Sequence, residues 1–246
     1  MRVLSLDTVD STNTYALRHF DEVADRVLVS ARAQTAGRGR LGRKWVAPPG
    51  CNLTVSLAMS RISCGFHAGA VAGLAVLDLV REAVPAADPY LKWPNDVYCA
   101  DAKLAGILCE GRLAGGKLAG VVAGIGVNVN LSPADAALID GKATSLKILA
   151  PERDFSPDCL CRRLAFFLER WYINYDCNCD GVLASWRGEN RLIGREITVV
   201  EPSGKELSGC FSAIDADGAM VLDTPSGRRV FRCGDVKIAR GFDPRG

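Results

Sequence analysis

The stretch Gly37-Arg38-Gly39-Arg40-Leu41-Gly42-Arg43-Lys44-Trp45 carries the densest chemistry in the chain. Four cations and three glycines fall within eight residues, and an indole follows. Glycine lets backbone N–H groups turn toward a ligand, and arginine forks match phosphate or carboxylate oxygens. A solvated basic loop would also be rich in charge. The Arg–Gly alternation and the closing tryptophan, a face on which a flat ring can stack, point instead to a cradle for an anion.

Two familiar phosphate motifs do not fit it. Gly37, Gly39 and Gly42 spell G-x-G-x-x-G, but that fingerprint works only where the glycines open a helix that receives pyrophosphate. Val46-Ala47-Pro48-Pro49-Gly50 follows, and two prolines exclude a helix there. The Walker pattern fails as well, because Gly42 precedes Arg43-Lys44-Trp45 rather than Lys and Ser/Thr.

Further candidates lie downstream. Lys92-Trp93-Pro94-Asn95-Asp96 places a proline between two short strands, a kink that no helix survives. A turn at Asp101 then brings Lys103 back beside Asp96; an ordinary cross-strand ion pair is the simpler alternative. Gly124-Ile125-Gly126-Val127-Asn128-Val129-Asn130 sets two glycines and two asparagines in a strand, where glycine often marks close approach of a ligand or another backbone.

The elements that must position these groups are short strands and a few helices. Val3–Leu6, Arg26–Gln34 and Asn52–Ala58 read as strands, and Asp10-Ser11-Thr12-Asn13 supplies cap chemistry for a helix over about 12–20. Phe66–Val84 is apolar nearly all round and predicts a buried helix. Tight turns after Asp101 and at Gly115-Gly116 predict antiparallel hairpins. A loop follows Pro133, then a helix over about 157–175 and a short helical piece over 183–187. From Gly194 the chain becomes four short strands parted by Ser-Gly and Asp-Gly turns, which suggests a small barrel. The expectation is an α+β protein with a mostly antiparallel sheet, divided into residues 1–189 and 190–246.

The 246 residues have room for one good-sized domain, or one domain and a small module, and 48% are hydrophobic. A net charge of +2 gives no global case for nucleic acid. The N-terminus turns acidic too soon for a signal peptide, and no apolar run reaches about 18 residues, so a soluble cytoplasmic protein is expected. Ten cysteines are mostly scattered singly; Cys159-x-Cys161 and Cys177-x-Cys179 lack the spacing of a zinc site, and His19 and His67 are distant in sequence.

Five segments together resemble the biotin protein ligase family: Asp10-Ser11-Thr12-Asn13, Gln34 to Trp45, Lys92 to Asp96, Lys103 to Leu108 and Gly124 to Asn128. The resemblance implies a catalytic domain related to class II aminoacyl-tRNA synthetases, then an SH3-like barrel. It implies that a biotin carboxylate attacks the α-phosphate of ATP, with Mg2+, and that a lysine of a biotin carboxyl carrier domain then takes the acyl group. Arg38, Arg40 and Lys103 would be the cations at the meeting point. Ser11, Thr12, Asn13, Gln34, Gly37, Gly106 and Leu108 match the biotin pocket. Arg43, Lys44, Trp45, Asn52, Asn95 and Asn128 match the nucleotide side; Asp96 would serve magnesium or orient the incoming lysine. Some members begin with a DNA-binding helix-turn-helix, whereas Ser11-Thr12-Asn13 starts so early here that a form without DNA binding is expected. Homodimers are common in the family. The rival readings are a lipoate or octanoate ligase of the same fold and a non-enzymatic nucleotide or nucleic-acid binder.

Overall fold

The computed structural model describes residues 1–45, 47–139 and 142–237. Val46 of the cradle and residues 238–246 of the second expected unit lie outside them. Seven strands form the first sheet: β1 (Arg2–Val9), β2 (Val27–Gln34), β3 (Leu53–Met59), β4 (Pro89–Lys92), β5 (Asp96–Cys99), β6 (Ala102–Ala114) and β7 (Lys117–Val127). Their order is β1-β2-β3-β7-β6-β5-β4. All neighbours are antiparallel except β1 and β2. That parallel pair follows from the crossover through α1 (Thr12–Arg18) and α2 (Phe20–Val23), since a tight turn can join only antiparallel strands.

One face of this sheet carries α1 and α2. The other is covered by α3 (Gly65–Ala83), α6 (Pro157–Cys177) and α7 (Cys179–Glu189). As its composition predicts, α3 is buried over most of its length. The alternation along β3 divides its residues between the faces: Leu53, Val55, Leu57 and Met59 meet the α3/α6 core, while Ala58 joins the α1/α2 cluster. No helix among the described residues is long and apolar enough to cross a membrane.

A second, antiparallel sheet contains β8 (Glu196–Val200), β9 (Glu206–Ile214), β10 (Met220–Thr224), β11 (Gly227–Phe231) and β12 (Asp235–Lys237), in the order β11-β10-β9-β8-β12. Its apolar residues Phe211, Met220 and Leu222 belong to the same buried cluster as α3 and α6. Trp93 Nε1 donates to Gly218 O at 2.9 Å, and His67 Nε2 lies 2.8 Å from Ala216 O, so that nitrogen carries the proton. The two sheets are thereby bonded through the turn at residues 215–218.

Four elements differ from expectation. The loop after Pro133 contains α4 (Pro133–Ala137) and α5 (Leu146–Leu149), each capped by a serine, Ser132 or Ser145, that accepts a backbone N–H. The short piece near 183–187 is the whole of α7. β12 was not expected, because three residues are too few to show alternation; its pairing with β8 defines it.

Asp25 turns the chain into β2 with φ 62°. Burial pushes its carboxyl up, but the hydroxyls of Ser60 and Tyr172, the Ser60 amide and Arg61 together hold it below its ordinary value. The stabilisation this gives is present above about pH 4 and lost as pH falls through the lower folded value. Asp25→Ala is therefore expected to remove about 2 kcal/mol near neutral pH, since hydrogen bonds to a charged group carry roughly that much. Urea denaturation at neutral and at strongly acidic pH should show the deficit shrink in acid; a deficit independent of pH would mean that shape, not charge, matters there.

Candidate functional site

Strand pairing collects the glycines first. Asp96, Gly106, Gly126 and Thr54 lie in one cross-strand row, and Leu108, Gly124 and Ser56 in the next. Three glycines leave the middle of the α1 face without side chains, and neighbours close directly on the backbone. A Cβ on Gly124 would stand 2.2 Å from Asn13 Oδ1, one on Gly126 2.4 Å from two ring carbons of Trp45, and one on Gly106 3.0 Å from Lys103 Cε and Nζ. The result is a slot with a bare backbone floor, walled by Asn13, Trp45 and Lys103.

At one end of the slot is a hydrogen-bond network. Gln34 Oε1 accepts from Thr12 N at 2.8 Å and from Thr12 Oγ1 at 3.1 Å. Ser56 Oγ lies 2.8 Å from Thr12 Oγ1 and 2.6 Å from Asn13 Oδ1. Asn13 Nδ2 donates to Leu108 O at 3.1 Å and to Glu110 Oε2 at 2.8 Å. Ser11 stands at the expected N-cap position of α1, yet its hydroxyl makes no cap bond. Gly37 allows Gln34 Nε2 and Trp45 O to approach where a Cβ would obstruct them.

At the other end are charges. A bulge between β5 and β6 at Val97/Tyr98 re-aims Lys103 over Gly106. Its Nζ stands 2.7 Å from Asp96 Oδ1, close enough to pair charges yet not aligned as a hydrogen bond. Lys92 lies deeper, with Nζ 3.2 Å from Tyr98 OH and over that ring; burial pushes its ammonium below the ordinary lysine value, against the pull of Asp96.

The cradle crosses this end, held by the side chains of three arginines. Arg38 Nη2 meets Glu110 Oε2 at 2.9 Å and Thr14 Oγ1 at 3.2 Å. Arg40 Nη1 donates to Asn95 Oδ1 at 2.8 Å, while Asn95 Nδ2 donates to Ile107 O. Arg43 pairs with Asp235 of β12. A backbone bridge joins Arg38 to Lys44, and Trp45 N donates to Gly37 O at 3.0 Å. Among the described residues, Arg40 and Lys44 have no carboxylate partner. Trp45 Nε1 is buried without an acceptor among the described residues. The indole lies against Gly126 and Gly106 in the slot; a separate cavity of about 510 Å3 lies on the second sheet beside Lys205 and Arg229.

Of the residues that the resemblance assigns to biotin or the nucleotide, all but Asn52 and Asn128 lie at this slot or in the cradle over it. Asn52 and Asn128 are buried behind it: Asn52 Oδ1 accepts from Val129 N, and Asn128 Nδ2 donates to Thr144 O. Their amides hold backbone. Sequence reasoning missed Ser56, Glu110 and Asp235. Glu110 had one signal, its place two residues beyond Leu108 on the same strand face.

The chain matches the family model described as "Biotin/lipoate A/B protein ligase family" over residues 5–128, and that described as "Biotin protein ligase C terminal domain" over 192–238. It is 36% identical to the biotin–[acetyl-CoA-carboxylase] ligase of Mycobacterium tuberculosis, covering 86% of this chain and 79% of that one. It is 35% identical to the ligase of that name from Paracoccus denitrificans, over 94% and 98%. Among solved structures it is similar to the biotin protein ligase from Aquifex aeolicus in complex with biotin and ATP, with a TM-score of 0.79, 24% identity and coverage of 96% and 97%.

Proposed function

We infer that this chain, which belongs to the biotin/lipoate A/B protein ligase family, is a biotin–protein ligase that attaches biotin to a lysine at the expense of ATP. The observation that carries the reading is the slot: a glycine floor with hydrogen-bonding groups at one end and the cations Lys103 and Arg40 at the other. A ureido ring needs donors and acceptors in an otherwise bare groove, and a carboxylate meeting a phosphate needs fixed positive charge.

Biotin lies along Gly124 and Gly126, with its ureido group toward Ser11, Thr12, Asn13 and Gln34 and its carboxylate toward Arg40 and Lys103. Gly37, Gly106 and Leu108 shape that path through their backbones. The indole of Trp45 lifts to let the ring in and then covers it. The carboxylate attacks the α-phosphate; Arg40 and Lys103 stabilise the charge that gathers there, and pyrophosphate leaves toward Arg43 and Lys44. Asn95 holds Arg40, and Asn52 and Asn128 act behind the site by holding the strand ends. In the second step a lysine amine attacks the acyl carbon of biotinyl-5′-adenylate and AMP departs. Asp96, beside Lys103, is suited to orient that amine.

Magnesium would come with the nucleotide. Asp96 Oδ1 is buried beside the Lys103 ammonium at 2.7 Å, and a carboxylate oxygen is the kind of donor that a hard cation takes. Among the described residues no group of three or more ligating side chains surrounds it. Asp96 would supply one ligand and the phosphates and water the rest, and the ion would offset phosphate charge.

The acceptor is a carrier domain of a carboxylase, and the setting is the cytoplasm. Residues 1–189 form the catalytic unit and 190–246 an SH3-like barrel, in keeping with the change of sheet after α7. A homodimer would use the β6 edge beyond Gly106, which β5 leaves unpaired, beside exposed Leu113 and Leu118.

Mass spectrometry of a carrier domain incubated with the protein, ATP and biotin tests the function; an unmodified carrier lysine would contradict it. A second outcome tests the slot. In Gly126→Ala the new methyl takes the place of the Trp45 ring, and overpacking of that kind costs enough to weaken biotin binding about tenfold. Calorimetric titration with biotin reads this; unaltered affinity would put the ring elsewhere.

A further inference from the structure

Glu110 is a carboxylate beside a slot that receives a carboxylate and a triphosphate. Left alone it would repel both. One of its oxygens, Oε2, accepts from two donors on different elements, Asn13 Nδ2 at 2.8 Å and Arg38 Nη2 at 2.9 Å. Asn13 is 3% exposed and reaches on to Ser56. Arg38 reaches on to Thr14. The chain Ser56–Asn13–Glu110–Arg38 therefore runs from the ureido end of the slot to the cradle, and Glu110 is its joint.

We propose that Glu110 is a positioning residue for biotin, which closes the cradle through Arg38 and removes that guanidinium from the cations that meet phosphate. This rests on the reading of the slot given above.

Two physical arguments support it. An isolated ion pair with side chains 45% and 24% exposed holds little, because both chains lose freedom and water screens the charge. Here the buried Asn13 already fixes the carboxylate, so Arg38 meets an ordered acceptor and loses less on binding it. The second argument is charge balance. Arg38 and Glu110 cancel, whereas among the described residues Arg40 meets the neutral Asn95 oxygen and no carboxylate, and keeps its full charge for an anion. Because both bonds share one oxygen, a ligand that binds Asn13 in this position favours the carboxylate position that Arg38 needs, which couples ring recognition to closure of the loop.

The test is a double-mutant cycle with Glu110→Gln, Arg38→Ala and the pair together, read by biotin-dependent pyrophosphate exchange and by escape of preformed adenylate. Each single change should raise the KM for biotin about tenfold and speed adenylate escape about tenfold, as loss of one charge-assisted hydrogen bond predicts. The KM for ATP should move less than about threefold, and the double variant should be no worse than either single. Additive effects, or an ATP KM that rises with that of biotin, would overturn the proposal. Should Glu110→Gln fail to fold, Arg38→Ala, an exposed site, must still separate the two KM values. Wild-type exchange that needs biotin, together with additive variants, removes this role alone; wild-type exchange that does not need biotin removes the site reading as well.

Discussion

Lys103→Ala is expected to reduce biotin-dependent adenylate formation by about a thousandfold, the scale seen when one preorganised charge-stabilising donor is removed. Its ammonium lies over the backbone of Gly106 at the cationic end of the slot, next to the bulge between β5 and β6. The cost to stability should be small. The side chain is 31% exposed, and a partly exposed pair such as Lys103–Asp96 contributes about 1 kcal/mol. The backbone of Lys103 is held independently by Lys142 O and by Thr144 N. Thermal unfolding should therefore move by only a few degrees while pyrophosphate exchange collapses. Near-normal exchange in the variant would remove Lys103 from the reaction.

Arg40→Gly should act on retention more than on synthesis. It removes both the uncompensated cation and the Arg40–Asn95 bond that fastens the cradle to β5 and β6. A charge-assisted bond of this kind is worth enough to hasten escape of the adenylate about ten- to a hundredfold. Biotinyl-5′-adenylate is a mixed anhydride that acylates any amine, so its early release should label lysines with no carrier domain present. Proteolysis offers an independent view, because cleavage after Arg40 or Arg43 should slow in the wild type when biotin and ATP are added together. Tight retention of adenylate in the variant, with unchanged cleavage of the wild type, would make the cradle a solvated surface.

Much of this site was legible in the sequence because its parts are of kinds that local physics restricts. Glycines in a strand are costly, so Gly124 and Gly126 announced a close approach before any partner was known. The alternation of Arg and Gly before Trp45 announced a loop that binds through backbone and charge. Antiparallel hairpins followed from the tight turns near Asp101 and Gly115-Gly116. The hidden parts are those made only by long-range pairing. Glu110 meets Arg38 across 72 residues and Asn13 across 97, and nothing local at Glu110 names either partner. Ser56 looked like one more polar residue on a half-buried strand. Asp235 lies on a strand three residues long, and only the fold brings it to Arg43. Asn52 and Asn128 show the reverse: asparagine at a strand end is as apt to hold backbone as to meet a ligand, and both of these side chains bond backbone.

The central claim is that this slot joins a biotin carboxylate to the α-phosphate of ATP. Exchange of radiolabelled pyrophosphate into ATP by the purified protein measures that step alone, without an acceptor. Exchange should depend on biotin, saturate with it, and not be supported by lipoate or octanoate. Exchange that proceeds without biotin, or that octanoate or lipoate supports in its place, would contradict the account.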